Sequence, residues 1–178
     1  MGDLASLPEL SEAARERGTL SACGRLVSAA RAAGVPVVHC IAHWRGDRLG
    51  TLLNTPLTRA LAKNPAQVLE GSEAVELVPE LGDTSRDLHS FRRHGLTPFW
   101  GTDLDPLLRS LDVDTITVCG VSLNVGVPGL VLGAVDRGYE VNVASDAVVG
   151  VPAAYGDEVL ANSLAMVARL VDTDAVTF

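Results

Sequence analysis

The sequence predicts a three-layer α/β/α sandwich around a mostly parallel sheet, and three observations carry that prediction. Short valine-rich runs such as "VPVVHC" and "TITVCG" alternate with stretches whose apolar residues recur at helical spacing. The connections between them are short, so successive strands are expected to run parallel beneath covering helices. No repeat, linker or low-complexity run divides the 178 residues, a length that one domain can fold around a single core.

The elements follow in order. "TLSACGRLVSAARAAG" places Leu20, Cys23, Leu26, Val27 and Ala30 on one helical stripe, with Thr19 before it and Gly34 as its stop. "VPVVHCIAHW" reads as a buried strand, and residues 45 to 54 as a loop. "TPLTRALAKN" is a short helix with Pro56 early and Pro65 closing it. Residues 66 to 85 read as irregular, broken by Gly71, Pro79 and Gly82, and "RDLHSFRR" as a strand. A helix is expected from about Asp103, then the strand "DTITVCG", a helix from about Asn124 to Asp136 stopped by Gly138, and the strand "YEVNVAS". A last helix is placed over about Ala153 to Leu170, with "DAVTF" as a terminal edge strand.

Composition narrows the function. A net charge of -8 leaves no phosphate-neutralising surface, so no nucleic-acid partner is expected. No run approaches the roughly 20 apolar residues of a membrane span and the N-terminus has no leader pattern, so the expectation is a cytoplasmic protein without a membrane partner. Cys23, Cys40 and Cys119 are odd in number and widely spaced within apolar runs, which argues against a disulfide framework or a zinc site. Lys63 is the only lysine. The glycines of "CGVSLNVG" lack the spacing of a dinucleotide fingerprint, and no cofactor is expected.

In open α/β sheets a ligand lies beyond the carboxyl ends of the strands, which collects His43, Trp44, residues 92 to 100, 120 to 126, Ser145 and Asp146. Ser122 reads as a helix cap or a nucleophile, though no histidine is placed by sequence to activate it. Asn124 is a cap or a ligand contact. The amides of Val125, Gly126 and Val127 open a helix whose N-terminus favours an anion, and Gly126 lets a ligand approach the backbone. His39 and His43 point to one face of a strand about 13 Å apart, too far for one metal ion. His43 with Trp44 lines the pocket mouth or packs at the surface. Arg92, Arg93 and His94 form a cationic cluster that pairs with Asp87, Asp103 or Asp146 or grips a substrate carboxylate. Phe99 and Trp100 serve as core, interface or stacking platform. Cys40 and Cys119 are expected to be inert.

The stretches "ARAAGVPVVH", "FWGTDLDPLLRSLDVDTITVCGVSLNVGV" and "AVDRGYEVNVASDAV" together resemble the isochorismatase-like hydrolases, from about Leu20 to the C-terminus. The resemblance implies a parallel six-stranded sheet, association into dimers or tetramers, and a catalytic cysteine, aspartate and lysine. It aligns Gly126 with the cysteine and Arg93 with the lysine, and Arg93 cannot substitute as a proton shuttle. It also implies a cis peptide bond between Val121 and Ser122, and a first strand in the middle of the sheet that carries the aspartate. Residues 1 to 18 show no such strand, Asp3 being their only aspartate, so the chain is expected to begin one strand late. The flanking strands must then close on each other, borrow a strand from a neighbouring subunit or belong to a longer protein, and a homo-oligomer is expected. Two functions follow. One is a hydrolase of a small carboxylate or amide that uses no thiol, as the isochorismatases proper do, with Arg93, Ser122 and Gly126 at its centre and Val121 and Asn124 beside them. The other is a catalytically silent member that binds a small molecule or a subunit.

Overall fold

The chain alternates strand and helix from residue 38 onward, and every strand pair it forms is parallel. The structure, a computed structural model, describes residues 8–63 and 68–178. The elements are α1 (Pro8–Glu16), α2 (Thr19–Ala32), β1 (Val38–Ala42), α3 (Pro56–Ala62), β2 (Leu88–Arg92), α4 (Leu104–Ser110), β3 (Thr115–Val121), α5 (Gly126–Val135), β4 (Glu140–Val149), α6 (Ala153–Asn162) and β5 (Arg169–Val171). One apolar cluster joins Val118, Val131, Val143 and Leu164 on the α4, α5 and α6 side of β3 and β4. A second joins Cys23, Leu26 and Val27 of α2 to Ala144, Ala147 and Cys119 on the opposite side. Val118 and Cys119 fall in different clusters because successive strand residues point to opposite faces.

The expected α2 forms, with Cys23, Leu26, Val27 and Ala30 buried, and the chain leaves it through Gly34 in the left-handed region. Thr55 caps α3 by accepting from the Thr58 amide. Its expected stop at Pro65 lies outside the described residues.

Several elements differ from expectation. α1 is a helix that no expectation covered; its buried stripe is only Leu10, Ser11 and Ala14, of which Leu10 and Ala14 pack towards Val149. The expected last helix stops at Asn162, a 3-10 turn covers Leu164–Met166, and Arg169–Val171 becomes β5. The reason is tertiary: as a strand these residues pair with Asn142–Ala144 and cover the outer edge of β4. "DAVTF" is not a strand; Thr173–Ala175 form a 3-10 turn capped by Asp172. Helix α5 begins two residues later than expected.

The strands order as β2-β1 and β3-β4-β5, in two separate sheets. β1 pairs with β2 and β3 with β4, so of the three arrangements open to the flanking strands, direct closure of β1 on β3 is not what forms. Between them runs a slot. Its carboxyl half is a cavity of about 170 Å³ with Val37–Cys40 on one side and Val118–Val121 on the other. Its amino half is a cavity of about 340 Å³ between residues 35–38 and 115–117. Both share Val27, Val37 and Val38. Among the described residues no strand precedes β1, and no helix is long and apolar enough to cross a membrane.

Candidate functional site

The turn after β3 is built to hold one shape. Gly120 has φ of 110°, a conformation side chains disfavour, and the Val121–Ser122 peptide that follows is cis, as the resemblance implied. The Leu123 amide donates to the Val149 carbonyl at 2.9 Å, and the Ser122 carbonyl accepts from Val127 at 3.0 Å. Asn124 is not a helix cap: its side chain donates to the Val151 carbonyl at 2.5 Å and accepts from the Val151 amide at 2.9 Å. A side chain at Gly150 would collide with this turn, its Cβ falling 3.0 Å from Leu123 and 3.1 Å from Asn124. Val125, with no capping side chain, precedes α5, and Gly126 opens it.

Gly126 faces the carboxyl half of the slot, together with Cys40, Ser90, Arg92, Pro98 and Val121. Its position is tight, since a Cβ there would lie 3.3 Å from the Val121 carbonyl oxygen. Arg92 donates to the Gly95 carbonyl at 3.3 Å and has no carboxylate partner among the described residues. Burial holds its pKa below the usual arginine value, although a guanidinium stays charged. Among the described residues it is the only arginine, lysine, aspartate or glutamate that lines this cavity.

The neighbouring acids are committed elsewhere. Ser90 donates to Asp103 at 2.6 Å. Asp87 receives His39 Nε2–H at 2.7 Å and two N–H groups of Arg31, whose remaining donor reaches the Leu81 carbonyl. Burial pushes the His39 pKa down, against the opposing bond to Asp87, so its ring is neutral. Burial would raise the Asp87 pKa, but its bonds to Arg31 and His39 outweigh that and hold it low.

Cys23 and Cys40 are poor nucleophiles, whereas the neighbouring Cys23 thiol holds the Cys119 pKa down. Cys40 has open surface yet sits deep among protein atoms, and burial pushes its thiol up to about 11. The Cys23 thiol donates to the Ala147 carbonyl at 3.3 Å, and the adjacent Cys119 thiol together with burial raises its pKa. Among the described residues no group of three or more histidine, cysteine, aspartate or glutamate side chains could hold a metal ion.

Of the residues collected from the sequence, the structure brings Pro98, Gly120, Val121 and Gly126 to the cavity wall. Arg93 points away, donating to Glu70 and to His43, each at 3.4 Å, at an open surface pocket that it shares with Arg45, Asp47 and Glu70. His43 is buried against the Phe91 ring, 4.9 Å between centroids, and Trp44 is buried with Arg48 over it. His94 contacts the Gly50 carbonyl through Nδ1 at 3.0 Å. Phe99 lies in the core against Tyr139, and Trp100 is exposed. The Ser122 hydroxyl has no hydrogen-bond partner among the described residues. Arg92, expected in the cationic cluster, and Cys40, expected to be inert, also reach the wall, and Ser90 was missed. Strand alternation in "LHSFRR" could have found Ser90 and singled out Arg92, because these two share a face that Arg93 does not.

Comparison with known proteins gives one consistent answer. Residues 8–175 match the isochorismatase domain family. The chain is 34% identical over 124 residues to an isochorismatase family protein, YecD, of Escherichia coli O157:H7, covering 70% of this chain and 63% of that one. It is 36% identical over 86 residues to YwoC of Bacillus subtilis strain 168, of the same family, covering 47% and 45%. The chain thus spans less than two thirds of the length of either relative. Among solved structures it resembles an isochorismatase family protein from Desulfovibrio vulgaris, with a TM-score of 0.79, 25% identity and coverage of 89% and 82%. It also resembles a cysteine hydrolase from Pseudomonas syringae pv. phaseolicola, with a TM-score of 0.75, 27% identity and coverage of 96% and 79%.

Proposed function

Because the chain belongs to the isochorismatase family, we propose that it is a hydrolase-like protein whose site takes a small carboxylate or amide at the carboxyl end of the slot and uses no thiol. The observation that carries this reading is Arg92, a guanidinium without a carboxylate partner among the described residues, on the wall that Gly126 shares. Arg92 supplies a charged fork for a carboxylate or carbonyl oxygen. The amide of Gly126 opens a ten-residue helix, where the dipole favours partial negative charge on the same ligand. Gly126 leaves room for that approach and has no side chain to attack with.

Benzoate and benzamide are suitable probes. Benzoate is expected to raise the melting temperature, and Arg92→Met to weaken its binding at least tenfold while Arg93→Met leaves it unchanged. If Arg93→Met abolished binding and Arg92→Met did not, the reading would fail. Ammonia release from benzamide, where it occurs, should survive alkylation of all three cysteines; loss of turnover on alkylation would restore a thiol mechanism.

A second reading, binding without turnover, is favoured by one observation: no carboxylate lines the cavity among the described residues, so none is in place there to act as general acid. Binding of benzoate with no product from a panel of esters, amides and vinyl ethers would select it.

A further inference from the structure

Two cysteines far apart in the sequence meet inside the fold. Cys23 lies on the buried stripe of α2, and Cys119 on the face of β3 that α2 covers, so the two side chains pack in one apolar cluster with Ala144 and Ala147. Both also line the cavity of about 170 Å³ in the carboxyl half of the slot. The Cys23 S–H donates to the Ala147 carbonyl at 3.3 Å, a weak bond that a thiol gives up readily. A buried cysteine is inert where it lacks a partner and an approach, and this pair has both.

We infer that Cys23 and Cys119 form a reversible redox pair, joined by a disulfide when a small hydroperoxide enters the cavity.

The two sulfurs take different roles. The thiolate is the attacking species, and of the two it is Cys119 whose pKa is lowered, by the neighbouring Cys23 thiol, while that of Cys23 is raised by Cys119 and by burial. Cys119 is also the more open of the two, half-buried where Cys23 is fully buried. With hydrogen peroxide, the Cys119 thiolate attacks one oxygen, the O–O bond breaks, and the departing hydroxide takes up a proton as water, leaving a sulfenic acid on Cys119. The Cys23 sulfur then attacks the Cys119 sulfur, the S–O bond breaks, and the hydroxyl leaves with the Cys23 proton as a second water. The two thiols lose two electrons and the peroxide gains them. The link fastens α2 to β3 at the residue before Gly120, whose φ of 110° begins the turn that leads to Gly126.

Cys40 supplies the contrast. It lines the same cavity from β1, across the slot, and burial pushes its thiol up to about 11. A pairing set by separation along the chain would join Cys23 to Cys40, by far the shorter loop. A pairing set by the fold joins Cys23 to Cys119.

The test treats the reduced full chain with hydrogen peroxide, quenches it with N-ethylmaleimide in denaturant and digests it for peptide mass spectrometry without reduction. A peptide pair joined through Cys23 and Cys119, lighter by two hydrogen atoms than its reduced parts, is expected to exceed every pair containing Cys40 at least tenfold and to vanish on treatment with dithiothreitol. The same oxidation in urea is expected to favour Cys23 with Cys40 instead. In Cys23→Ala the reaction should stop at a sulfenic acid on Cys119, which dimedone labels. No linked peptide from the folded chain, or a lead for pairs containing Cys40, would overturn the inference, as would dimedone on Cys40 and none on Cys119. The first two outcomes are read on the unaltered chain, so they do not depend on the variant folding. Benzoate is absent throughout, so this inference and the ligand reading fail separately.

Discussion

His39 and His43 show how single residues set the response to pH. Burial lowers the pKa of both, offset at His39 by Asp87 and at His43 by Glu70. The unfolded chain takes up protons on these rings near the ordinary value of about 6.5, where the folded chain does not. Unfolding therefore binds protons below that value, and stability must rise with pH through this window and level off above it. The urea midpoint is expected to be lower at about pH 5.5 than at about pH 7.5, and the difference to shrink in a His39→Asn, His43→Asn double variant. A midpoint that rises on acidification would contradict the burial of these rings. Sequence could place both histidines on one strand face. It could not supply Asp87, whose approach to His39 and Arg31 depends on how β1, β2 and α2 meet.

At the scale of elements, α2 illustrates a close approach that pattern alone hides. Gly24 lies mid-helix, where replacement by alanine ordinarily stabilises by about 1 kcal/mol. Here a Cβ would stand 2.4 Å from the Glu80 carbonyl oxygen, so the turn at Pro79–Leu81 must shift. Overpacking of this kind costs about 1 to 3 kcal/mol, so Gly24→Ala is expected to destabilise. A stabilised variant in denaturant titration would show that the turn yields freely. The elements legible in the sequence were those with a full apolar stripe or a valine run, namely α2, β1 and β3. Those misread were short or decided from outside: α1 has a buried stripe of three residues, and β5 is a strand because β4 offers it an edge. Within the site, the place of Gly126 at the pocket turn was legible, whereas the choice of Arg92 over Arg93 turned on which face of β2 meets the slot.

For the whole molecule, the split sheet predicts uneven stability. β4 is paired on both sides over part of its length and is largely buried, while β2 has an unpaired outer edge and an exposed Phe91. Native-state hydrogen exchange is expected to be slowest in residues 141–149 and faster in residues 88–92; the reverse order would mean that the β1-β2 sheet is the more stable body. Family resemblance pointed to the middle of the sheet, but only the structure shows that among the described residues the two sheets hold apart. The irregular pairing of β3 with β4 has a consequence of its own. Between Val118 and Gly120 β3 advances two residues, while from Val143 to Val148 β4 advances five. The surplus is held outside the ladder by β5 and the chain end: Ser145 donates to the Val171 carbonyl, and Asp146 accepts from the Thr173 amide and hydroxyl. β4 therefore carries slack. A residue gained between Ser145 and Asp146 can be taken up locally without moving Val149, which holds the site turn, whereas the same change in 115–118 would turn every following side chain of β3 to the wrong layer.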